Sequence, residues 1–323
     1  MMKSAVIITI LLLSSFVASA ETVYTVDCNG GGDFRTIQAC FDALPSKPAE
    51  WRTVRIMPGV YREKVTLDVY KDKVRILGDE MAETRIVWGD YAGKVVDGRE
   101  LTTYDSYTMS VQADDVYLDC LTVENDAGRV GQAVAVQCLA DGLHFIGCRF
   151  LGNQDTLYLY ASGNRDGETV AENARMRFDD CYVEGTTDFI FGAASALFRR
   201  CEIRSLADSY VTAASTCRGQ SCGLIFEECR LTAAPGVTRC YLGRPWRDYA
   251  QTVFIRCNLG AHILPVGWHD WDKPRTHRTA FYAEYASEGP GAAPAQRVRW
   301  SHQLSAREAR AVLSAFEKLD KFR

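Results

Sequence analysis

Six of the twelve cysteines recur in similar short phrases, and this repeat constrains the fold more than any other feature of the chain. In these phrases apolar residues flank the cysteine on both sides. The intervals between successive cysteines are 28, 33, 20, 28 and 28 residues, for Cys120, Cys148, Cys181, Cys201, Cys229 and Cys257. A repeat of this length with one short strand per unit is typical of a solenoid, in which stacked turns share a core. We therefore interpret these cysteines as an inward-facing ladder of small apolar side chains.

Short strands rich in Val, Ile, Phe, Tyr and Leu dominate the chain from Thr53 to His262, with Gly, Asn and Asp at the turns between them. No amphipathic helix alternates with these strands, which argues against a doubly wound α/β fold. An immunoglobulin-like sandwich would show hairpin turns and no cysteine-marked repeat. The sequence predicts an all-β fold, a right-handed parallel β-helix.

Two helical segments are expected to cover the ends of this coil, where unpaired edges would otherwise recruit other chains. The segment Phe34–Leu44 places apolar residues on one face, and Ser305–Leu319 begins with a capping box formed by Ser305 and Glu308. Residues 262–300 are rich in Trp, Pro and Gly, and we expect irregular loops there.

The first 20 residues have the pattern of a secretory signal peptide, with Lys3, an apolar stretch from Ala5 to Val17 and Ala18-Ser19-Ala20 as the cleavage site. The apolar stretch is short for a membrane anchor. We expect residues 21–323 to form one catalytic β-helix domain that is secreted, or periplasmic if the source is bacterial, and monomeric. The formal net charge of −4 provides no basic field for nucleic acid, and no membrane partner is expected.

An exported chain with twelve cysteines is expected to contain disulfides. The best candidates are local pairs outside the ladder, Cys28 with Cys40 and Cys217 with Cys222. Cys181 and Cys201 are separated by the shortest interval, so a bond between adjacent turns is left open for them. Cys138 and Cys240 are unassigned.

Two aspartates, Asp155 and Asp188, each follow a ladder cysteine by seven residues. Equal offsets on neighbouring turns would stack the two carboxyl groups on adjacent strands, about 5 Å apart at the backbone. Two acids at that distance cannot both ionise freely, so one is driven towards its protonated form. The pair therefore predicts one acid and one base in a shared site. Asp208 has the same offset from Cys201 but lacks the flanking motifs, and we interpret it as a loop residue.

Four segments resemble the signature segments of the pectin methylesterase (pectinesterase) family, and they follow the family's order. They are Gly131–Val136, Gln154–Tyr158, Asp188–Gly192 and Leu242–Trp246, and the similarity extends from about Thr25 to about Trp271. The resemblance implies a right-handed parallel β-helix that hydrolyses the methyl esters of pectin without a cofactor or metal.

The same resemblance assigns roles to individual residues. It implies that Asp188 is the nucleophile, Asp155 the general acid and then base, and Arg244 the residue that holds Asp188 ionised. Gln132 and Gln154 match the positions that stabilise the oxyanion. Trp246, Tyr158 and Phe191 match aromatic residues of the family's groove, which would contact sugar rings. Thr103 resembles a substrate-contacting threonine, in a looser match. From the residues alone, the two glutamines could instead bond to each other, and Trp268 and Trp271 could be either groove walls or loop anchors.

The segment Gly219-Gln220-Ser221-Cys222-Gly223 fits the nucleophile pattern of serine hydrolases, which requires a strand before the serine and a helix after it. Here a strand-like Leu224-Ile225-Phe226 follows, so the sequence argues against a serine nucleophile. The five histidines show no zinc-ligand spacing. Alternatives to the esterase are a pectate lyase, a β-helix acyl thioesterase and a non-catalytic polysaccharide-binding β-helix. The chain departs from the usual plant form in showing no inhibitory pro-region, and in its many cysteines and the insertion from Asn164 to Asn173.

Overall fold

Three long parallel sheets dominate the computed structural model, which describes residues 22–161 and 174–319. The predicted signal peptide and the insertion from Asn164 to Asn173 lie outside the described residues. Within the described ranges no helix is both long and apolar enough to cross a membrane.

The strands are short and fall in the same order on every turn of the chain. Sheet A contains Thr22–Val26, Arg52–Ile56, Val74–Gly78, Val116–Asp119, Leu143–Ile146, Arg175–Asp179, Ser195–Arg199, Leu224–Glu227, Gln251–Ile255, Phe281–Tyr285 and His302–Gln303. Sheet B contains Gly59–Tyr61, Thr84–Trp88, Thr122–Asn125, Arg149–Leu151, Tyr182–Gly185, Glu202–Ser205, Arg230–Ala233 and Asn258–Leu259. Sheet C contains Val65–Leu67, Met109–Val111, Val136–Cys138, Leu157–Leu159, Ile190–Gly192, Tyr210–Ala214 and Tyr241–Gly243.

Each complete turn adds one strand to each sheet, and each strand pairs in parallel with its counterparts one turn before and after it, as Leu157–Leu159 does with Val136–Cys138 and Ile190–Gly192. A two-stranded antiparallel hairpin, Val95–Val96 with Arg99–Glu100, projects from this framework. The architecture is a parallel β-helix, which confirms the predicted fold class. Parallel pairing is also why equal sequence offsets place side chains directly above one another.

A column of five phenylalanines fills the interior of the coil along sheet A. Phe145, Phe178, Phe198, Phe226 and Phe254 are fully buried, and successive ring centroids lie 4.5, 4.3, 4.8 and 4.5 Å apart. The rings stack because each strand is in register with the next, for example Phe178 with Phe198. The column ends on buried Trp268 and Tyr282, which close the coil at this end.

The cysteine ladder is present, with one position corrected. Cys148, Cys181, Cys201, Cys229 and Cys257 are buried, and each thiol donates to a backbone carbonyl of the preceding turn. The prediction was wrong for Cys120. Since Leu118 is in register with Phe145, Leu121 takes the ladder position opposite Cys148, and Cys120 lies in the preceding left-handed turn at φ 58°.

The predicted disulfides are not formed, because all twelve cysteines are free. Cys181 and Cys201 stand on successive turns of the ladder as free thiols, each donating to a backbone carbonyl of the turn before it. Cys217 belongs to the core inside the coil, whereas Cys222 packs on the outer face of sheet A. Cys40 lies on the buried face of the first helix, while the Cys28 sulfur packs against Gly59.

The first helix is shorter than predicted and covers one end of the coil. It spans Ile37–Ala43, with Thr36 as its N-cap and Ile37, Cys40 and Phe41 buried. It cannot begin at Phe34, because that residue forms a bridge to Val26 at the edge of sheet A.

The second helix spans Ala306–Leu319, and the predicted capping box is formed, with Ser305 N–H donating to Glu308 at 2.7 Å. Its predicted place at the end of the coil was wrong. Ala309 and Phe316 pack instead on Leu197, Ile225 and Val253, the outward-facing apolar residues of sheet A. The outer face of sheet A is apolar at these positions, and the second helix shields it from water.

The segment predicted as irregular loops contains regular structure. It adds the strand Phe281–Tyr285 to sheet A and the 3-10 helices Pro274–Arg278 and Pro294–Gln296, while a third 3-10 helix, Thr103–Asp105, lies earlier in the chain. Phe281–Tyr285 pairs with Gln251–Ile255 along its whole length. The cysteine-marked phrase is absent from this turn, so the repeat does not predict the strand Phe281–Tyr285.

Candidate active site

Asp155 and Asp188 stand on adjacent turns at the entrance to sheet C. Leu157 is in register with Ile190, which places Asp155 opposite Asp188 two residues earlier, and the Asp155 N–H donates to the Thr187 carbonyl at 3.1 Å. Both carboxylates are nearly buried, with 8% and 6% of the residue exposed. The predicted stacking of the two acids is therefore present in the structure.

Both aspartates occupy the left-handed region of backbone conformation, at φ 68° for Asp155 and φ 48° for Asp188. Aspartate tolerates this region better than most residues, but it is still uncommon outside glycine. Each aspartate lies in the turn two residues before a strand of sheet C, and both side chains line one cavity. The same turn conformation recurs elsewhere in the coil, at Asp115 and Asp180 for example, and at Asp155 and Asp188 it places both residues on the wall of one cavity.

Arg244 forms a bidentate ion pair with Asp188. Its Nε lies 3.0 Å from Oδ1 and its Nη2 lies 2.7 Å from Oδ2. The guanidinium is held between two aromatic faces, 3.9 Å from the ring centre of Tyr210 and 3.7 Å from that of Trp271. This packing fixes the plane of the guanidinium and therefore the orientation of the Asp188 carboxylate.

The two carboxyl groups differ in their affinity for protons. Burial, with a contribution from Asp188, raises the pKa of Asp155 to about 8, although Arg244 opposes the shift. Burial also raises the pKa of Asp188, but its hydrogen bonds to Arg244 oppose that shift directly. Arg244 bonds to Asp188 alone, and a cation bonded to one acid of a pair favours its charged form, so the shared proton is favoured on Asp155.

Gln132 and Gln154 lie side by side on neighbouring turns, joined through a backbone bridge. Within the described part of the chain no hydrogen bond links their side-chain amides, so the alternative that they only bond to each other is not observed. Both amides line the same cavity as the two aspartates. They are neutral donors placed where a negatively charged oxygen could be bound.

These residues surround a cavity of about 230 Å³, which we call the main cleft, lined by Thr103, Tyr104, Gln132, Gln154, Asp155, Asp188, Phe191, Ala213, Arg244, Trp246 and Trp271. Every predicted site residue but Tyr158 lines it. Tyr158 stacks on Phe191 at 4.8 Å and lines an adjoining cavity of about 410 Å³, which we call the side pocket. Tyr104 and Trp246 line both cavities, so the two form one groove with aromatic walls.

Three cleft residues, Tyr104, Ala213 and Trp271, were not identified as site residues from the sequence. Tyr104 was quoted only beside Thr103, and its ring approaches that of Tyr158 at 5.1 Å. Trp271 was left undecided, and it forms the cleft wall that packs on Arg244. Trp268, which shared that ambiguity, is only 1% exposed and belongs to the core.

Ser221 and Asp208, which the sequence argued against as catalytic residues, do not line the groove. Ser221 is exposed and is followed by the strand Leu224–Glu227, without the helix that a serine nucleophile requires. Asp208 accepts the backbone N–H groups of Thr238 and Arg239, as expected for a loop residue.

One group in the described ranges has the residue types of a metal site. Ligand atoms of His269, Asp270 and Asp272 lie within 4.8 Å of one another. Loop contacts already engage two of the three, because the Trp271 N–H donates to His269 Nδ1 and Asp270 pairs with His277 at 2.9 Å. These bonds fix the loop that carries Trp271.

Comparison with known proteins gives consistent results. The family model described as Pectinesterase matches residues 23–317. The chain is 36% identical to pectinesterase QRT1 of Arabidopsis thaliana over 306 residues, covering 91% of this chain and 77% of that protein. Pectin methylesterase from carrot superposes with a TM-score of 0.80 at 30% identity, over 90% of this chain and 91% of that one. A pectin methylesterase solved in complex with a hexasaccharide superposes with a TM-score of 0.75 at 26% identity, over 89% and 94% of the two chains.

Proposed function

The chain belongs to the pectinesterase family, and we propose that it hydrolyses the methyl esters of pectin with Asp188 as the nucleophile and Asp155 as the proton donor. The observation that carries this assignment is the pairing of Arg244 with only one of two stacked acids. That asymmetry supports an ionised carboxylate beside a protonated one, the two states that covalent ester hydrolysis needs.

The first half of the reaction forms an acyl-enzyme. A carboxylate oxygen of Asp188 attacks the ester carbon, and the carbonyl oxygen takes up the negative charge. The amides of Gln132 and Gln154 donate to that oxygen, since both line the cleft as neutral donors. The carbon–methoxide bond then breaks, Asp155 gives its proton to the departing oxygen, and methanol leaves behind a mixed anhydride on Asp188.

The second half returns the enzyme to its starting state. Asp155, now a carboxylate, takes a proton from water as the water oxygen attacks the acyl carbon of the anhydride. The bond to Asp188 breaks, its electrons return to the carboxylate, and Arg244 stabilises the restored charge. The products are a free galacturonate carboxyl group and methanol.

The test is Asp188→Asn, which keeps the size of the side chain and removes the nucleophile. Methanol release from methyl-esterified pectin is expected to fall to background while the circular dichroism spectrum shows that the fold is kept. Asp208→Asn is the matched control, because Asp208 follows a ladder cysteine at the same offset but lies in an exposed loop. Substantial methanol release by Asp188→Asn would refute the assignment. Hydrolysis of an acyl-CoA by the wild type would instead indicate a thioesterase, and the appearance of unsaturated product from pectin would indicate a lyase.

We also infer that the protein is exported and acts as a monomer on pectin outside the cytoplasm. The sequence of residues 1–20 supports export through its signal-peptide pattern. Mass spectrometry of the secreted protein, with Glu21 as the expected N-terminus, and its mass in solution would check both expectations.

A further inference from the structure

One buried asparagine, which does not itself line the main cleft, holds three backbone carbonyls from different segments. Asn125 ends a strand of sheet B and is only 2% exposed. Its Nδ2 donates to the carbonyls of Asp90, Ser106 and Val134 at 2.9, 2.9 and 3.1 Å. Its Oδ1 accepts the Ala127 N–H at 3.0 Å. A carboxamide has two N–H hydrogens, so both are engaged here and the side chain has a single orientation.

Two of these carbonyls bracket Gln132, one of the two proposed oxyanion donors. Val134 lies two residues after Gln132 in the chain. On the other side, Asp90 lies two residues before Ala92, whose N–H donates to the Gln132 carbonyl at 2.9 Å. Asn125 therefore ties the segment that carries Gln132 to the segment that holds the Gln132 backbone.

Ser106 completes this arrangement. It is fully buried, its carbonyl accepts from Asn125, and its Oγ accepts the Val134 N–H at 3.1 Å. The N–H of Val134 is therefore held by Ser106 and its carbonyl by Asn125. With both groups bonded, the backbone just after Gln132 has one orientation.

Charged groups hold the Asp90 end of the arrangement in place. The Asp90 side chain is only 7% exposed, and it pairs with Lys64 and Lys94, each at 2.8 Å. Lys64 also donates to the carbonyl of Asp105, the neighbour of Ser106. The segments around Gln132 thus form a fixed support, and Asn125 is the side chain that bonds to all three of them.

We propose that Asn125 is a positioning residue, whose carboxamide aligns the Gln132 amide with the oxyanion of the reaction. This inference rests on the proposed function and deepens it. A donor stabilises developing negative charge best when it is held in place before the charge forms. Because the oxyanion forms in the transition state and not in the bound ester, loss of the alignment lowers kcat more than it raises KM.

The test is Asn125→Leu, which keeps the approximate size of the side chain and removes its donors. The kcat for methanol release from methyl-esterified pectin is expected to fall about tenfold to a hundredfold, as for a small misplacement of a catalytic group, with a smaller change in KM. In a Gln132→Ala background the same substitution is expected to leave kcat nearly unchanged, because the donor that Asn125 positions is already absent. A purely structural loss would instead appear equally in both backgrounds.

Gln220→Leu is the matched control, because Gln220 is a second buried amide with three acceptors. It is 4% exposed, and its Nε2 donates to the carbonyls of Ala193 and Cys222 and to Ser195 Oγ. It lines neither the main cleft nor the side pocket. The control is expected to lower the thermal midpoint while kcat stays at the wild-type value.

Asn125→Asp is a milder second variant, which keeps the shape of the side chain and, when protonated, one donor. It enters the same comparison if Asn125→Leu does not fold. The proposal is overturned if the folded Asn125 variant keeps the wild-type kcat, if its loss is the same with and without Gln132, or if Gln220→Leu loses kcat equally. Absence of methanol release by the wild type would refute the proposed function and this inference with it, whereas the other outcomes refute the inference alone.

Discussion

At the scale of single residues, the site depends on how one arginine is held. Arg244 lies between Tyr210 and Trp271, and its two donors reach both oxygens of Asp188. The two rings come from different parts of the chain, a strand of sheet C and the loop before the 3-10 helix Pro274–Arg278. The motif Leu242–Trp246 predicts the arginine, but it contains neither ring. The precision of the ion pair therefore comes from residues that no local motif reveals.

Asp155 carries a cost in stability that depends on pH. Burial raises its pKa in the folded protein from an ordinary value of 3.8 to about 8. Because the folded pKa is raised, the folded state binds the proton more tightly, and this contribution is complete below the unfolded pKa and is lost as the pH rises through the folded value. Asp155→Asn cannot ionise, so we expect it to be more stable than the wild type by a margin that grows between pH 4 and pH 8 and levels off above about 8.

Thermal midpoints of the two proteins across this pH range would measure the margin. Asp179→Asn serves as the control with the opposite sign: burial opposes ionisation of Asp179, but hydrogen bonds from His144 and Arg177 outweigh it and lower its pKa to about 2. That variant is expected to be less stable than the wild type at neutral pH. A midpoint difference for Asp155→Asn that shrinks with rising pH would show that Asp155 is not the protonated acid.

At the scale of elements, the phenylalanine column holds successive turns together. Phe198 is fully buried between Phe178 and Phe226, with ring centroids at 4.3 and 4.8 Å. Phe198→Ala would leave a cavity that the stacked strands cannot collapse to fill, and it is expected to cost about 3–5 kcal/mol of the free energy of unfolding.

Denaturation in urea would measure this loss, with Phe198→Leu as the control that keeps most of the buried volume. The leucine variant is expected to lose less than half as much. Equal losses for both variants would indicate that ring stacking, and not volume, stabilises the column.

Sequence alone predicts those elements that repeat. The strands that carry the cysteine phrase, their parallel pairing and the superposition of Asp155 on Asp188 all follow from a period that is visible in the residues. The position of Cys120 was wrong because this cysteine stands one residue earlier in its phrase than the other five do, and a shift of one residue moves a side chain off the ladder. The strand Phe281–Tyr285 and the place of the second helix were missed because neither belongs to the repeat.

At the scale of the whole molecule, one buried ion pair ties the last part of the chain to the coil. Arg297 pairs with Glu284 through two hydrogen bonds, of 2.6 and 3.1 Å, with side chains only 2% and 4% exposed. The same guanidinium donates to the carbonyls of Leu264, Pro265 and Gly291. It therefore joins the strand Phe281–Tyr285 to the loops on either side of it.

Breaking this pair from one side is expected to destabilise the fold more than removing both charges. Arg297→Met leaves the Glu284 carboxylate buried without a partner, which costs about 3–5 kcal/mol, whereas the double variant Glu284→Leu with Arg297→Met recovers part of that loss. Urea midpoints of the single, double and wild-type proteins test this order, and Arg230→Met, which breaks an exposed pair with Glu202, is expected to cost no more than about 1 kcal/mol. If the double variant were the least stable of the four, the pair itself would be the main source of stability in this region.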